Sequence, residues 1–544
     1  MRGKFYILVI SALTLLFTMG CKLHKTDESK VFRYNESKGI ATLDPAYARS
    51  QTIIWPVHQI FDGLVQFDSL LNIKPAIAKK WKISEDGLFY TFTLRSDVKF
   101  HQNKLFKKPD SRRVNANDFV YSFNRIMDPA TSSPGAWVFT YLDKKYGKNG
   151  CKALNDTTLQ IKLKKPFPPF IGLLGMKYCA VVPEEIISHY GNAFGQHPVG
   201  TGPFLMHKWK QGDVILLKSN PDYYEKDEKG RRLPYLESVV ISFITDKQSE
   251  FMEFMLGNLD FISGINAQYK DALLTRDGQL REKHKDKIYL QTGHYLNTEY
   301  LGFNLDSTTG QVVPKAVRKA INYCFDREEM VTYLRNNMAY PAHNGMVPPA
   351  LTRNYPQKVK GYNYNPDLAR RILNEAGFQN GNNQPIKLLT TSDYIDICEY
   401  IQHKASRIGI NIEINLGTGA SYRNMISKGK VPMFRASWIA DYPDAENYLA
   451  LFYSKNKSPQ GPNYTRFGDS ITDRYYEASL KPENQLKRDK FYYKMEKRVI
   501  SFSPVVPLYY DKVVRFVQND IQGLPVNPFN LLELKHIKKT EKKD

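Results

Sequence analysis

Asp441 and Asp444 stand three residues apart and are the nearest thing in the chain to a pair of glycosidase carboxylates, a spacing that also arises freely by chance. A hydrolase would carry more. There is no G-x-S-x-G nucleophile elbow, no H-E-x-x-H and no H-x-x-x-H at helical spacing. The eleven histidines are dispersed, and His101, His197 and His343 sit among Gly, Pro, Asn and Gln as loop residues do. Neither "GTGPF" (Gly200 to Phe204) nor "GTGAS" (Gly417 to Ser421) has the third glycine of a dinucleotide loop or the lysine of a phosphate loop, so both read as turns. No cysteine pair has metal-site spacing, no cofactor motif is present, and nothing argues for an enzyme. What stands out instead is "RASWIADYPDAENYL", Arg435 to Leu449, where a fixed cation and a fixed anion flank an indole before Pro443 breaks the run. Arg435, Ser437, Ile439 and Asp441 share one parity, so an extended strand turns them to one side. Trp438 and Tyr442 add apolar area with a polar handle.

The elements that must position these residues are mixed. A chain of 544 residues exceeds one compact core, and its 42% apolar content suits packed globular domains. "GLFYTFTLRS" (Gly87 to Ser96) and "TTLQIKLKKP" (Thr157 to Pro166) alternate like half-buried strands. "NANDFVYSFNRIMD" reads as a helix capped by Asn115, with Asp118 in its first turn. "NPDLARRILNEAGF" carries Asn365 as cap, Pro366 at the first turn and Gly377 as its stop. "PKAVRKAINYCFDREEMV" reads as two helices joined near Asp326. Strands alternating with helices predict an α/β architecture.

The first residues read as an export signal: Arg2 and Lys4, then the apolar run Phe5 to Gly20, too short for a stable membrane span. Cys21 follows directly, at what resembles a bacterial lipoprotein cleavage site, although Thr18 replaces the usual leucine; ordinary signal cleavage that discards Cys21 is the alternative. Export permits disulfides, and Cys151 and Cys179 are the pair to test, while Cys324 sits in a helical apolar pattern as a small buried hydrophobe. The formal charge of +22 reads, in an exported protein, as solubility and attraction to an anionic envelope surface rather than as a nucleic-acid footprint.

Read in order, the remaining motifs resemble the extracytoplasmic solute-binding proteins of family 5, the oligopeptide and dipeptide binders of ABC transporters. These motifs are "IFDGLVQFD", "KPAIAKKWKISEDGLFYTFTLRSDVKFH", "VNANDFVYSFNRIMDPATSSPGAW", "LKKPFPPFIGLL", "HPVGTGPFLMHKWKQGDVILLKSNPDYY", "VRKAINYCFDREEMV", "MVPPAL", "NPDLARRILNEAGF" and "VVPLYYDKVVRFVQNDIQGL". They cover the chain from about Phe32 to Ile537. The resemblance implies a two-lobed periplasmic binding protein with a ligand cleft between α/β lobes and an extra subdomain inserted in lobe one. Mapped here, residues 1–20 are the signal peptide and 21–30 a tether after the lipidated Cys21. Lobe one takes 31–50, 195–290 and 504–540, the insertion 51–194, and lobe two 291–503. The Gly200 to Pro203 turn, Trp209 and Asn220-Pro221 are assigned to shaping lobe one, without ligand contact.

In the family's peptide binders the segment matching "RASWIADY" borders the cleft. The resemblance implies that Asp441 holds the peptide's amino group, that Arg435 meets the carboxylate of short peptides, and that Ser437 and Ile439 pair with the ligand backbone as a neighbouring strand would. Trp438 and Tyr442 are expected along the cleft wall. Against this, Asp441 could cap the segment after Pro443, and Arg435 could pair within lobe two. The implied partners are short peptides, an inner-membrane ABC permease and the membrane through a lipid anchor, with no nucleic acid, and the protein is expected to be an extracytoplasmic, non-enzymatic monomer. Within the same family the cleft could instead take a nickel chelate, haem, an oligosaccharide or an opine, and a surface lipoprotein could keep the fold for an interaction role.

Overall fold

The computed structural model describes residues 30–540 apart from 110–111, 265, 267–268, 308–310, 379–383 and 482–483. The signal run and Cys21 therefore lie outside the described residues. The main sheet has eleven strands: β1 Val31–Asn35, β2 Phe204–Lys210, β3 Val214–Ser219, β4 Ser238–Ser242, β5 Phe261–Ser263, β6 Ile288–Phe303, β7 Ala339–Pro341, β8 Ile386–Thr390, β9 Ile412–Leu416, β10 Met433–Ile439 and β11 Val505–Gln518. Their order is β9-β8-β10-β6-β11-β5-β1-β4-β3-β2, with β7 on β11. β1 pairs in parallel with β4 and β5, and β8 in parallel with β9 and β10; the β6–β10 and β6–β11 pairs are antiparallel.

Two long strands make one sheet serve two lobes. The first half of β6, Ile288 to His294, pairs with β11 from Gln518 to Lys512, beside lobe-one strands. Its second half, Thr298 to Gly302, pairs with Tyr510 to Val505, beside lobe-two strands. The register shifts between His294 and Thr298, the point at which the pair passes from one lobe to the other. A shift of this kind bends and re-aims a strand, and here it turns Tyr295 towards the space between the lobes.

On the lobe-one side one core runs from Phe32 through Phe92, Phe119 and Leu159 of the inserted region to Leu532, and a second gathers Phe254, Leu273 and Phe516. The insertion carries its own four-stranded sheet, in which Phe89–Leu94 and Thr158–Lys162 are central neighbours. Lobe two buries both faces of its sheet, as α/β sheets do: along β10, Met433 faces a core with Ile321 and Ile401, and Phe434 faces one with Tyr448 and Met495.

Local signals explain the helices. Asn115 accepts from the Asp118 amide and Asp118 accepts from the Asn115 amide, a reciprocal capping box. Asp326 caps Arg327–Arg335 directly after Lys315–Tyr323, and Asn365 caps Pro366–Glu375. Cys151, Cys179, Cys324 and Cys398 are buried and free, so the pair singled out for testing is not joined; Cys179 Sγ instead donates to the Leu173 carbonyl. Among the described residues, no helix is long and apolar enough to cross a membrane.

Candidate functional site: the interlobe cavity

A cavity of about 300 Å³ lies between the lobes. One wall is the helix Gln51–Ile60, hereafter α1, whose Ser50, Gln51, Ile54 and Trp55 face the space. The "GTGP" turn fixes the far end of that helix. A Cβ on Gly200 would stand 2.0 Å from the Ile60 carbonyl oxygen and one on Gly202 2.6 Å from that of Gln59, so only glycine allows the turn to approach the helix end. The Gly202 amide then donates to the Ile60 carbonyl, and Asn220 Nδ2 donates to the Gly202 carbonyl. These motif residues hold the end of α1, and none of them lines the cavity.

Just before α1 the chain makes a tight turn, Pro45–Tyr47, capped by Asp44. Asp44 also receives both guanidinium nitrogens of Arg125, at 3.0 and 2.5 Å, from the helix Ala116–Met127. Ser133 bonds the Ala46 carbonyl and Tyr47 bonds that of Thr131. This tied-down turn presents Arg49 to the cavity. The short helix Lys177–Cys179 contributes Lys177 and Tyr178.

From lobe two come Ile439, Ala440 and Asp441. The strand ends at Ile439, and the Ala440 amide is held by the Leu296 carbonyl at 2.9 Å. Asp441 is open to the cavity, yet enough protein surrounds it that desolvation raises its carboxyl to about 6, with Asn447 pulling the other way. It does not cap the segment after Pro443. That role belongs to Asp444, which accepts from the Glu446 amide and pairs with Arg488 at 2.6 Å.

The other residues expected in the site are placed as follows. Arg435 is buried, its guanidinium paired with Glu299 and stacked over the Tyr394 ring, so the pairing within lobe two is the one formed here. Glu299 and Asp511 share that pocket, joined through Asn297 Nδ2, and burial raises both carboxyls above their ordinary values. Ser437 is exposed and lies opposite Glu299 across the β6–β10 ladder. Trp438, of the other parity, packs against the lobe-two core with Nε1 on Asn447 Oδ1 at 2.9 Å. Tyr442 is buried, bonds Glu446 through its hydroxyl, and meets the inserted subdomain near Trp137 and Gly172. It lines a second cavity of about 600 Å³ between lobe two and the insertion. Arg49 and Lys177 were not anticipated; only the Asp-Pro turn signal before Arg49 was local enough to mark that corner.

Two lobes on shared strands, with a cavity faced by both, define a solute-binding protein. The chain belongs to the bacterial extracellular solute-binding proteins, family 5, whose middle-region model matches residues 72–460. It is 27% identical over 495 residues to the glutathione-binding protein GsiB of Shigella flexneri, covering 90% of each chain. HbpA2 of Haemophilus parasuis superposes with a TM-score of 0.81 at 24% identity, covering 94% of this chain and 100% of that one. DppA of Helicobacter pylori, an ABC transporter-associated periplasmic binding protein solved with the peptide STSA, gives 0.73 at 26%, covering 94% and 98%.

Proposed function

We propose that this protein captures short peptides between its lobes and delivers them to an inner-membrane ABC permease. The observation that carries the reading is Asp441, the one carboxylate among the described residues lining the interlobe cavity, where a peptide's ammonium finds its counter-charge. The exposed face of Ser437 and Ile439 beside it offers backbone groups to an extended ligand. The peptide in the DppA structure and the name of the GsiB relative support the same ligand class. The lobes close about β6 and β11, and the ligand stabilises the closed form by its preference for it. Cys21 carries the lipid that anchors a monomeric protein at the membrane, and the protein performs no catalysis.

Native mass spectrometry of the purified mature protein tests this directly. Released masses built from amino acids with free termini are expected, and a single non-peptide mass would overturn the ligand class. Leaving a buried ligand ammonium without its anion costs about 3 to 5 kcal/mol. Asp441→Asn is therefore expected to weaken peptide binding by roughly two to three decades, read by titration calorimetry. Undiminished affinity in that variant would remove Asp441 from the role.

A further inference from the structure

The cavity's charges do not balance. Asp441 faces it from lobe two, while Arg49 and Lys177 face it from the opposite wall. Neither cation is engaged: among the described residues no carboxylate lies within 4.0 Å of either side chain, and neither side chain makes a hydrogen bond. Buried cations elsewhere in the same half of the molecule are paired. Arg125 holds Asp44, and Lys535 behind the cavity holds Glu225 at 2.7 Å and Glu533 at 3.6 Å. Asp62, the remaining carboxylate near Lys177, takes the Thr201 hydroxyl at 3.3 Å.

Lys177 is the more telling of the two. Burial lowers its ammonium to about 8, opposed by the more distant charges of Asp62, Glu533 and Glu225 and assisted by Lys535. His58 beneath it is buried and held neutral. A cation taken from water without a counter-ion is costly, and an anion delivered to it recovers that cost. Arg49, more exposed, keeps a planar fork of donors suited to a carboxylate. Tyr178 lies between the two signs of charge, within electrostatic reach of both Asp441 and Arg49.

Resting on the peptide reading, we infer that the cleft selects short peptides bearing one ammonium and two carboxylates: the ammonium on Asp441, one carboxylate on Arg49 and the second on Lys177. A neutral zwitterion satisfies Asp441 and one cation only. An acidic side chain, or an acidic residue linked through its side chain, satisfies all three. The cavity sits at the lower end of the usual range for small-molecule sites, which limits the occupant to a few residues.

The test is calorimetry of the ligand-free mature protein with isosteric pairs: Ala-Glu against Ala-Gln, Glu-Ala against Gln-Ala, and Ala-Glu-Ala against Ala-Gln-Ala. The acidic member of at least one pair is expected to bind ten-fold or more tightly. Lys177→Gln is expected to bring that ratio close to one, and Arg49→Gln to weaken both members. A second readout separates charge pairing from altered shape. An anion raises the Lys177 ammonium from about 8, so at pH 8 the acidic peptide takes up more protons than its amide partner, whose uptake is confined to its own amine, seen as buffer-dependent heats in Tris and phosphate. Lys177→Gln abolishes this difference. Amide members binding as tightly as their acids in every pair would overturn the inference and leave peptide capture standing. Failure of all six peptides, with a non-peptide mass released from the protein, would remove both.

Discussion

Arg435 and Asp441 end the same short stretch and meet opposite environments. Arg435 is committed to Glu299, with Asp511 close by, deep in lobe two. Removing the cation leaves Glu299 buried without its partner, so Arg435→Met is expected to cost about 3 to 5 kcal/mol in urea unfolding; a loss within error would mean that the pair contributes nothing. Asp441 instead faces the cavity, and its raised carboxyl sets a pH dependence for binding. Only the ionised form pairs with an ammonium. Affinity for a neutral peptide is therefore expected to hold at pH 7 to 8 and to fall through about 6, reaching about ten-fold weaker one unit below. Calorimetry at pH 5, 6 and 7.5 checks it, and Asp441→Asn should flatten the profile. The parity of Arg435, Ser437 and Ile439 was legible because a strand alternates its side chains. The partner of Arg435 was not, because Glu299 reaches it across β6, and pattern within one segment carries no information about the neighbouring strand.

Elements built on local capping were readable in full. Asn115 with Asp118, Asp326 and Asn365 each satisfy amides within three residues of themselves, so sequence alone locates those helix starts. The turn at Pro45–Tyr47 differs in kind. Its cap is local, but the guanidinium that pins it comes from Arg125 in the inserted region. That pairing determines where Arg49 sits, which is why the cationic side of the cavity escaped a reading made segment by segment. Asp44→Ala removes the cap and leaves Arg125 buried without an anion. Stability is expected to fall by about 3 to 5 kcal/mol in urea unfolding, and peptide affinity to fall with it as the Arg49 turn loosens. Arg49→Gln, which breaks no contact of the fold, should weaken binding with the unfolding midpoint unchanged. Equal stability losses in the two variants would show that Arg49 supports the turn rather than facing a ligand.

At the scale of the whole molecule, the lobes share one main sheet divided by a register shift. β6 and β11 cross between the lobes while the insertion and lobe two meet on the far side of the cavity, at Gly172 and the Tyr442-Pro443 pair. A Cβ on Gly172 would lie 3.5 Å from Pro443 Cδ and 3.7 Å from Tyr442 Cβ, ordinary van der Waals contact at the edge of the second cavity. The nine motifs placed the fold correctly, but this contact joins segments that no local pattern connects. If peptide affinity depends on closure, a wedge here should act without touching the ligand, because a ligand binds only as well as its competent state is populated. Gly172→Ala is expected to bind as the wild type does. Gly172→Trp should hold the lobes apart, weakening binding ten-fold or more with the unfolding midpoint retained. Small-angle scattering should show the wild type contracting on peptide addition and the tryptophan variant failing to contract. Wild-type affinity and full contraction in Gly172→Trp would mean that the lobes do not close on this contact, and that ligand capture is set by the cavity walls alone.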